Sequence, residues 1–218
     1  MVTKSNNAGP AAKPSARERL LAAADELFYQ EGVHTVGIDR VIEQAGVAKA
    51  SLYNTFGSKE ALIRAYLEAR HARIADHTMR YIARYDTPRE RLLGVFEAQG
   101  RLFGSPRFRG CAFVSASAEH REGDLVELAA DAYRSWIRQL FADLAEQVGV
   151  ADPATLARQL HMIYDGGSLS ARMDRDPETA VVSRATAEIL LDAALTRPTA
   201  AAAAGVAVAA ESAAGAEG

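Results

Sequence analysis

The sequence has few of the residues that build disulfide-rich, zinc-binding or membrane-spanning proteins. Its 218 residues include a single cysteine, Cys111, which excludes an internal disulfide and any cysteine-rich zinc site. No apolar run approaches the roughly 18 residues that a membrane-spanning helix needs, and the first twenty residues lack the apolar centre of a secretory signal. We therefore expect a cytoplasmic protein that has no membrane partner.

Paired metal ligands and catalytic constellations are also missing from the sequence. His71 and His77 are six residues apart, which places them on different faces of a helix, and Cys111 and His161 have no partner at a metal-ligand spacing. We accordingly expect no metal, no cofactor and no catalytic residue, and an enzyme built on a helical bundle remains only an alternative. The sequence leaves open whether Cys111 is redox-active.

Charge is distributed unevenly along the chain. The net charge of −3 argues against a protein that coats nucleic acid non-specifically. Near the start of the chain, however, Glu18 is the only acidic residue among four basic ones, namely Lys4, Lys13, Arg17 and Arg19. Residues 1–15 lack periodicity and are expected to form a disordered basic arm. Residues 198–218 are rich in alanine and glycine, and we expect a disordered tail there whose role the sequence does not indicate.

Helical periodicity dominates the chain between these two ends. Leu20, Ala24, Leu27 and Phe28 recur at the spacing of one helical face, and Thr87, Asp152 and Asp176 each precede a proline as helix caps do. Because no alternating strand pattern occurs, the fold class is predicted to be all-α, with about nine helices. These cover residues 16–31, 38–45, 49–56, 58 to about 85, 88–103, 111–120, 124–149, 153–173 and 177–196.

Two short helices joined by the sequence AGVAK carry the clearest functional pattern. Ala45 is small where the helices approach, Gly46 suits a left-handed turn, and Val47 fills the inside of that turn. This arrangement predicts a helix-turn-helix, whose second helix enters the major groove of DNA.

The second of these helices has an inner and an outer face. With Leu52 placed in the core, the helical projection turns Ala50 and Asn54 directly outward and sets Ser51 and Tyr53 beside them. Small and hydrogen-bonding residues on an outer face favour base contact, and Asn54 matches the edge of adenine. Hydroxyl and ammonium groups suit phosphate oxygens. The predicted DNA-binding residues are Lys49, Ala50, Ser51, Tyr53, Asn54, Thr55, Lys59 and Thr35.

Residues 17–66 resemble the N-terminal domain of the TetR family of bacterial transcriptional repressors. The most specific segment is AGVAKASLYNTFGSKEAL, at residues 45–62. The resemblance implies a DNA-binding domain at residues 16–62 and an effector-binding and dimerisation domain at residues 63–197. It also implies a homodimeric repressor that binds a palindromic double-stranded DNA operator and is released by a small-molecule effector. Lys49, Ala50 and Ser51 would be its base contacts, and Tyr53, Thr55 and Lys59 its phosphate contacts.

The segment before the helix-turn-helix departs from the family pattern. Val36 and Gly37 stand where family members commonly carry Ser or Thr as a helix cap and phosphate contact, so Thr35 is the remaining candidate. Asp39 would repel phosphate if it faced DNA. An adaptor that uses the three N-terminal helices against a protein partner remains a second alternative.

The C-terminal half gives less specific expectations. Aromatic and sulfur-containing side chains are candidate effector contacts, namely Phe96, Phe103, Phe113, Tyr133, Trp136, Met162 and Tyr164. Apolar residues of the last two helices are candidate dimer contacts, namely Leu156, Leu160, Ile163, Gly166, Gly167, Ile189 and Leu190. Gly166 and Gly167 predict either a helix break or the close approach of another helix, and we favour a dimer contact there.

Overall fold

The computed structural model describes residues 13–118 and 124–196. Within these ranges the chain forms nine α-helices and no strand, which confirms the all-α prediction. They are α1 (Ala16–Glu31), α2 (Ile38–Ala45), α3 (Lys49–Phe56), α4 (Lys59–Ile82), α5 (Pro88–Phe103), α6 (Ala112–Ser117), α7 (Leu125–Val148), α8 (Pro153–Asp174) and α9 (Thr179–Thr196). The chain divides into two compact units between Tyr66 and Leu67, inside α4.

The predicted tail and most of the predicted basic arm lie outside the described residues. The domain boundaries expected from the sequence stay predictions. None of the helices in the described part of the chain combines the length and the apolarity needed to cross a bilayer.

Side-chain caps explain where several helices begin. Thr87 accepts a hydrogen bond from the Glu90 amide while the Glu90 carboxylate accepts one from the Thr87 amide, which confirms the capping box predicted for α5. Asp152 caps α8 by accepting from the amide of Thr155 at 3.0 Å, as predicted. These caps satisfy amide donors that the first turn of a helix leaves without partners.

Three helix predictions need correction. Helix α6 is shorter than predicted, with residues 119–123 outside the described part, and α9 begins at Thr179 because the Asp176 carboxylate accepts from the Glu178 amide in a preceding turn. A helix break at Gly166 and Gly167, which the sequence left as an alternative to close helix packing, is wrong, since α8 runs through both.

The first unit packs α1 against the two short helices that follow it. Leu20, Leu27 and Phe28 of α1 are buried, as their spacing predicted, and Phe28 meets Tyr66 edge to face with ring centroids 5.7 Å apart. Leu52 of α3 is completely buried. This small core fixes which face of α3 points outward.

The second unit is a bundle in which α5 packs against α7, α8 and α9. Its centre holds the rings of Phe96, Phe141 and Tyr164, with centroids 5.4 to 6.2 Å apart. Ion pairs then hold α9 to α5. Arg184 of α9 reaches Glu97 at 2.7 Å, and Arg89 of α5 reaches Glu188 at 2.9 Å. These contacts set the face that α9 leaves exposed.

A close approach between α5 and α9 depends on a glycine. A Cβ atom placed on Gly100 would lie 2.5 Å from the Cβ of Ala180, whereas one placed on Gly104, at the end of the same helix, would meet no atom within 4 Å. Neither backbone has a positive φ. The two glycines therefore form a matched pair in which only Gly100 is required by packing.

We expect Gly100→Ala to destabilise the fold by about 1–3 kcal/mol, because the added methyl group overpacks a rigid contact. Gly104→Ala should leave stability unchanged or raise it slightly. Urea unfolding followed by circular dichroism measures both, and equal midpoints for the two variants would contradict the packing argument.

Candidate nucleic-acid interface

A left-handed turn at Gly46 joins α2 to α3. Gly46 has φ 60° and ψ 45°, a conformation that glycine adopts without the usual steric cost. Its amide donates to the carbonyl of Glu43, and the Val47 amide donates to that of Ile42. These hydrogen bonds end α2 and start α3 after only three connecting residues, which is the predicted helix-turn-helix arrangement.

Arg19 ties α1 to the same turn. Its guanidinium donates to the carbonyl oxygens of Ala45 at 3.3 Å and Gly46 at 2.9 Å. A cation at the end of a helix satisfies carbonyls that have no partner within the helix and interacts favourably with the helix dipole. Arg19 therefore fixes the position of the turn, a role that the sequence analysis missed.

The outer face of α3 carries the side chains expected there. Ala50, Asn54 and Tyr53 are exposed, with Tyr53 keeping 45% of its surface accessible, while Ser51 is half-buried. Asn54 therefore has an accessible amide that can donate and accept at a base edge.

Thr55 is exposed, but its hydroxyl is already engaged. The hydroxyl donates to the Ser51 carbonyl at 2.6 Å, one turn earlier in α3. Contact with a phosphate oxygen requires this same proton, so Thr55 must first give up its internal hydrogen bond. This makes Thr55 a weaker phosphate candidate than Tyr53.

Asp39 and Lys49 form an ion pair across the helix-turn-helix. The Lys49 ammonium lies 2.9 Å from the Asp39 carboxylate, and that contact raises the pKa of Lys49. Both side chains remain more than 60% exposed. Asp39 thus neutralises a lysine expected at the DNA, and it also sits in the first turn of α2, where a carboxylate is favourable.

Both helices of the motif begin without a side-chain cap. Gly37 precedes α2 and Ala48 precedes α3, and neither supplies a capping hydrogen bond, so amide donors of both first turns remain open to an anion. In contrast, Ser58 caps α4 by accepting from the Ala61 amide at 3.1 Å, which leaves half-buried Lys59 in the first turn. Thr35 is exposed just before Gly37.

Two basic residues near the start of the chain lie in the folded first unit and not in the predicted arm of residues 1–15. Arg17 lies within α1, and its guanidinium sits 5.6 Å from the centroid of the Phe56 ring. Arg19 donates to the carbonyls at the turn between α2 and α3. Two of the four basic residues assigned to the start of the chain therefore act inside the folded unit.

The predicted effector contacts fall into several groups. Phe96 and Tyr164 belong to the central aromatic cluster, and Phe113 stacks on Tyr133 with centroids 3.9 Å apart. Trp136 lies beside Tyr133, at 6.0 Å. The hydroxyls of Tyr133 and Tyr164 are 3.5 Å apart, so the structure brings these five residues together inside the bundle.

Two predicted effector contacts lie elsewhere. Phe103 packs with Phe108, Ala171 and Ala180 in a separate small cluster. Met162 is 75% exposed on the outer side of α8, because it lies about a third of a turn from buried His161. The structure therefore argues against Met162 as a wall of an internal pocket.

The predicted dimer contacts divide by exposure. Leu156, Leu160 and Gly167 are buried within their own chain, and a Cβ placed on Gly167 would lie 2.5 Å from Ser183 Oγ of α9. The prediction that these three residues contact a partner chain is therefore corrected. Their side chains or backbone are buried within one chain, and the close approach at Gly167 is to a helix of that same chain. Ile163 and Leu190 are half-buried, whereas Gly166 and Ile189 are exposed.

Apolar side chains form a stripe along the outer sides of α8 and α9. On α8, Met162, Leu169 and Met173 lie on one helical face together with Gly166. On α9, Val182 and Ile189 lie on the side opposite the buried Ala187 and Leu191. The members are Met162, Leu169, Met173, Val182 and Ile189, all more than half exposed. Exposed apolar residues that repeat along one face of a helix favour an interaction site there.

A polar group inside the second unit escaped the sequence analysis. Arg134 of α7 reaches Asp165 of α8 at 2.8 Å, and the buried ring of His161 lies next to the same carboxylate. His161 and Asp165 are four residues apart in one helix, and this spacing was the signal that could have identified them.

Cys111 lies near this group. Burial raises the pKa of the Cys111 thiol, which disfavours the reactive thiolate at neutral pH. Within residues 13–118 and 124–196, no three His, Cys, Asp or Glu side chains gather as a metal site requires.

Comparison with known proteins agrees with this geometry. Residues 20–66 match the family model described as bacterial regulatory proteins, tetR family. The crystal structure of SCO4454, a TetR-family transcriptional regulator from Streptomyces coelicolor, is 34% identical, with 82% of this chain and 95% of that chain covered and a TM-score of 0.77.

Two other similar proteins are described by what they do. The transcriptional repressor NemR of Escherichia coli K12 is 29% identical over 74% of this chain and 86% of its own length. A cysteine mutant of CifR, a TetR-family transcriptional regulator complexed with 26-base-pair operator DNA, is 26% identical, with 85% and 99% of the two chains covered and a TM-score of 0.67.

Similarity to two other curated relatives is confined to part of the chain. The match to two uncharacterised regulators of Mycobacterium tuberculosis is 38% identical and spans 39% of their length. The match to SCO4454, in contrast, includes both units of this chain and nearly all of that regulator. The helix-turn-helix, the all-α fold and this similarity together establish that the chain belongs to the TetR family of DNA-binding bacterial transcriptional regulators.

Proposed function

We propose that this regulator is a homodimeric repressor that binds a palindromic operator and leaves it when a small molecule binds the second unit. The observation that carries the proposal is the outer face of α3, where exposed Asn54 lies opposite completely buried Leu52 and exposed Tyr53 lies beside Asn54. Such a helix, fixed by a glycine turn and presenting small polar groups, suits the major groove.

Within this proposal the outer residues of α3 divide into two roles. Asn54, Ala50 and Ser51 face base edges, while Tyr53 and Lys59 contact phosphates. The open amide ends of α2 and α3 add further donors for phosphate. Lys49 also reaches the DNA, but only in competition with Asp39.

The apolar stripe on α8 and α9 supports a twofold dimer. A second copy of the same stripe would cover it and build a four-helix contact around Met162, Gly166 and Ile189. Gly166 favours close packing there, since a Cβ at this position meets no atom of its own chain within 4 Å. Two recognition helices related by twofold symmetry would then read half-sites about 34–36 Å apart.

Release by an effector requires a ligand that prefers the conformation unable to bind DNA. Helix α4 supports such coupling, because it is one continuous helix whose first turn holds Lys59 and whose later turns belong to the second unit. We infer that a ligand shifts α4 and thereby changes the spacing of the paired recognition helices. A shift of a few Å is enough to misplace one helix relative to its groove.

Footprinting on DNA upstream of its own gene, together with selection from random sequences, tests the proposal. We expect a palindromic site, with Asn54→Ala losing about 1–3 kcal/mol of discrimination at one base pair of each half-site. Tyr53→Ala and Lys59→Ala should weaken binding to all sequences. Failure to select any site at moderate salt, or an equal loss across all sequences for Asn54→Ala, would contradict the assigned roles.

Asp39→Asn should increase affinity for DNA. Removing the carboxylate frees Lys49 to neutralise one phosphate, so the slope of log affinity against log salt should steepen by about 1. Glu43→Gln, which removes the same charge from the other end of α2, is the matched control and should leave the slope unchanged. A salt titration by fluorescence anisotropy measures this, and indistinguishable slopes for the two variants rule out competition by Asp39.

Ile189→Asp should convert the dimer to monomers and abolish cooperative operator binding. An uncompensated charge buried in an interface costs roughly 3–5 kcal/mol, and symmetry introduces it twice. Leu128→Asp, at an exposed leucine of α7, is the matched control and should remain dimeric. Sedimentation equilibrium decides between the outcomes, and a dimeric Ile189→Asp variant places the interface elsewhere.

A further inference from the structure

His161 is buried in α8 with an unused hydrogen-bonding atom. The residue is 4% exposed, and its Nε2 atom has no hydrogen-bond partner. The Asp165 carboxylate lies 3.4 Å away, but Arg134 already donates to the same oxygen atom. Burial lowers the pKa of His161, so the ring is neutral at physiological pH. Buried polar atoms normally have a partner, and each exception requires a physical explanation.

Two buried tyrosines lie on the helices that carry Arg134 and His161, namely Tyr133 on α7 and Tyr164 on α8. Tyr133 and Tyr164 are buried, and their hydroxyl oxygens are 3.5 Å apart, well beyond the usual 2.7–2.8 Å of a bond between hydroxyls. Burial raises the pKa of both phenols, so both keep their protons. His161 and Tyr164 are three residues apart and both buried, so they lie on one side of α8, and Tyr133 immediately precedes Arg134, which donates to Asp165.

The walls next to these polar groups are aromatic. Phe113 stacks on the ring of Tyr133 with an interplanar angle of 7°, and Phe141 meets the ring of Tyr164 at 6.0 Å. Aromatic walls with a few convergent polar groups are typical of small-molecule sites. Rings of this kind favour a flat apolar body on the ligand.

Charge at this place is balanced within the protein. The Asp165 carboxylate is paired with the Arg134 guanidinium, while His161 and both phenols are uncharged. Asp165 would repel an anion, and Arg134 would repel a cation. The group with hydrogen-bonding capacity left over is therefore neutral, and it suits a ligand that forms hydrogen bonds without carrying a charge.

We propose that His161, Tyr133 and Tyr164 form a ligand subsite for a neutral, flat, largely apolar molecule with a hydroxyl group. The hydroxyl would exchange a hydrogen bond with His161 Nε2, and the aromatic side chains would cover the apolar body. The claim that the ligand of this subsite is the effector rests on the proposed function. As a binding site, it is measurable on the protein without DNA.

Calorimetric titration of the full chain with phenol, toluene and benzoate tests the subsite. Phenol and toluene have nearly the same shape and differ in one hydroxyl, so we expect phenol to bind about five- to tenfold more tightly. Benzoate, which has a similar size but carries a negative charge, should bind more weakly than phenol.

Substitutions at two histidines assign this preference to one side chain. His161→Leu should bring phenol down to the affinity of toluene, while His161→Gln, which keeps neutral hydrogen-bonding groups, should retain part of the preference. His77→Leu is the matched control, because His77 Nε2 already lies 3.1 Å from the Ala98 carbonyl. That variant should keep the full preference for phenol.

Stability separates a ligand-binding role from a structural one. His161→Leu removes a polar atom that has no partner, so its melting temperature should equal or exceed that of the natural protein. A lower melting temperature would mean that His161 supports the fold. The three-probe comparison on the natural protein needs no variant and decides the matter even if a substitution prevents folding.

Several results would overturn the subsite. They are equal affinities of phenol and toluene, tighter binding of benzoate than of phenol, no measurable binding of any probe, and an unchanged preference in His161→Leu. Operator binding without probes is measured separately. If the natural protein selects an operator but shows no preference for phenol over toluene that depends on His161, this inference alone is refuted. A preserved preference in a protein that selects no DNA would refute the proposed function alone.

Discussion

The position of the recognition helix depends on how α2 ends. Gly46 adopts a left-handed conformation there, and Arg19 donates to the last carbonyls of α2. These two constraints determine the direction in which α3 leaves the turn. Burial of Leu52 then determines how α3 is rotated about its own axis, so that Asn54 points outward. The chemistry of the outer face of α3 follows from these local contacts within one small unit.

The same surface shows why family resemblance and residue chemistry give different information. Residues 45–62 follow the family pattern, but the preceding segment replaces a capping hydroxyl with Gly37 and adds Asp39. A Cβ at Gly37 meets no atom within 4 Å, and its φ of −77° suits any residue, so packing does not demand the glycine. The Asp39 carboxylate pairs with Lys49 and lowers the net positive charge of this surface. Under the proposed DNA contacts, this carboxylate would oppose non-specific binding.

Local patterns predicted the helices well, because caps and periodicity act over a few residues. The capping box at Thr87 and the α3 faces around Leu52 follow from near neighbours in the sequence. Side-chain pairings between distant helices could not be derived in this way. Helical spacing alone could not divide apolar residues of α8 into buried Leu160 and exposed Met162, since that division depends on where α7 and α9 pack. The role of Arg19 likewise depends on a carbonyl 27 positions later.

The distribution of aromatic residues has a spectroscopic consequence. Trp136 is the only tryptophan of the chain, and its ring lies 5.4 Å from His71 and 6.0 Å from Tyr133. Fluorescence excited at wavelengths that only tryptophan absorbs thus arises from a single place in the second unit, next to the ring on which Phe113 stacks. The protein carries its own optical probe beside the tyrosine pair, and no dye has to be attached to follow events there.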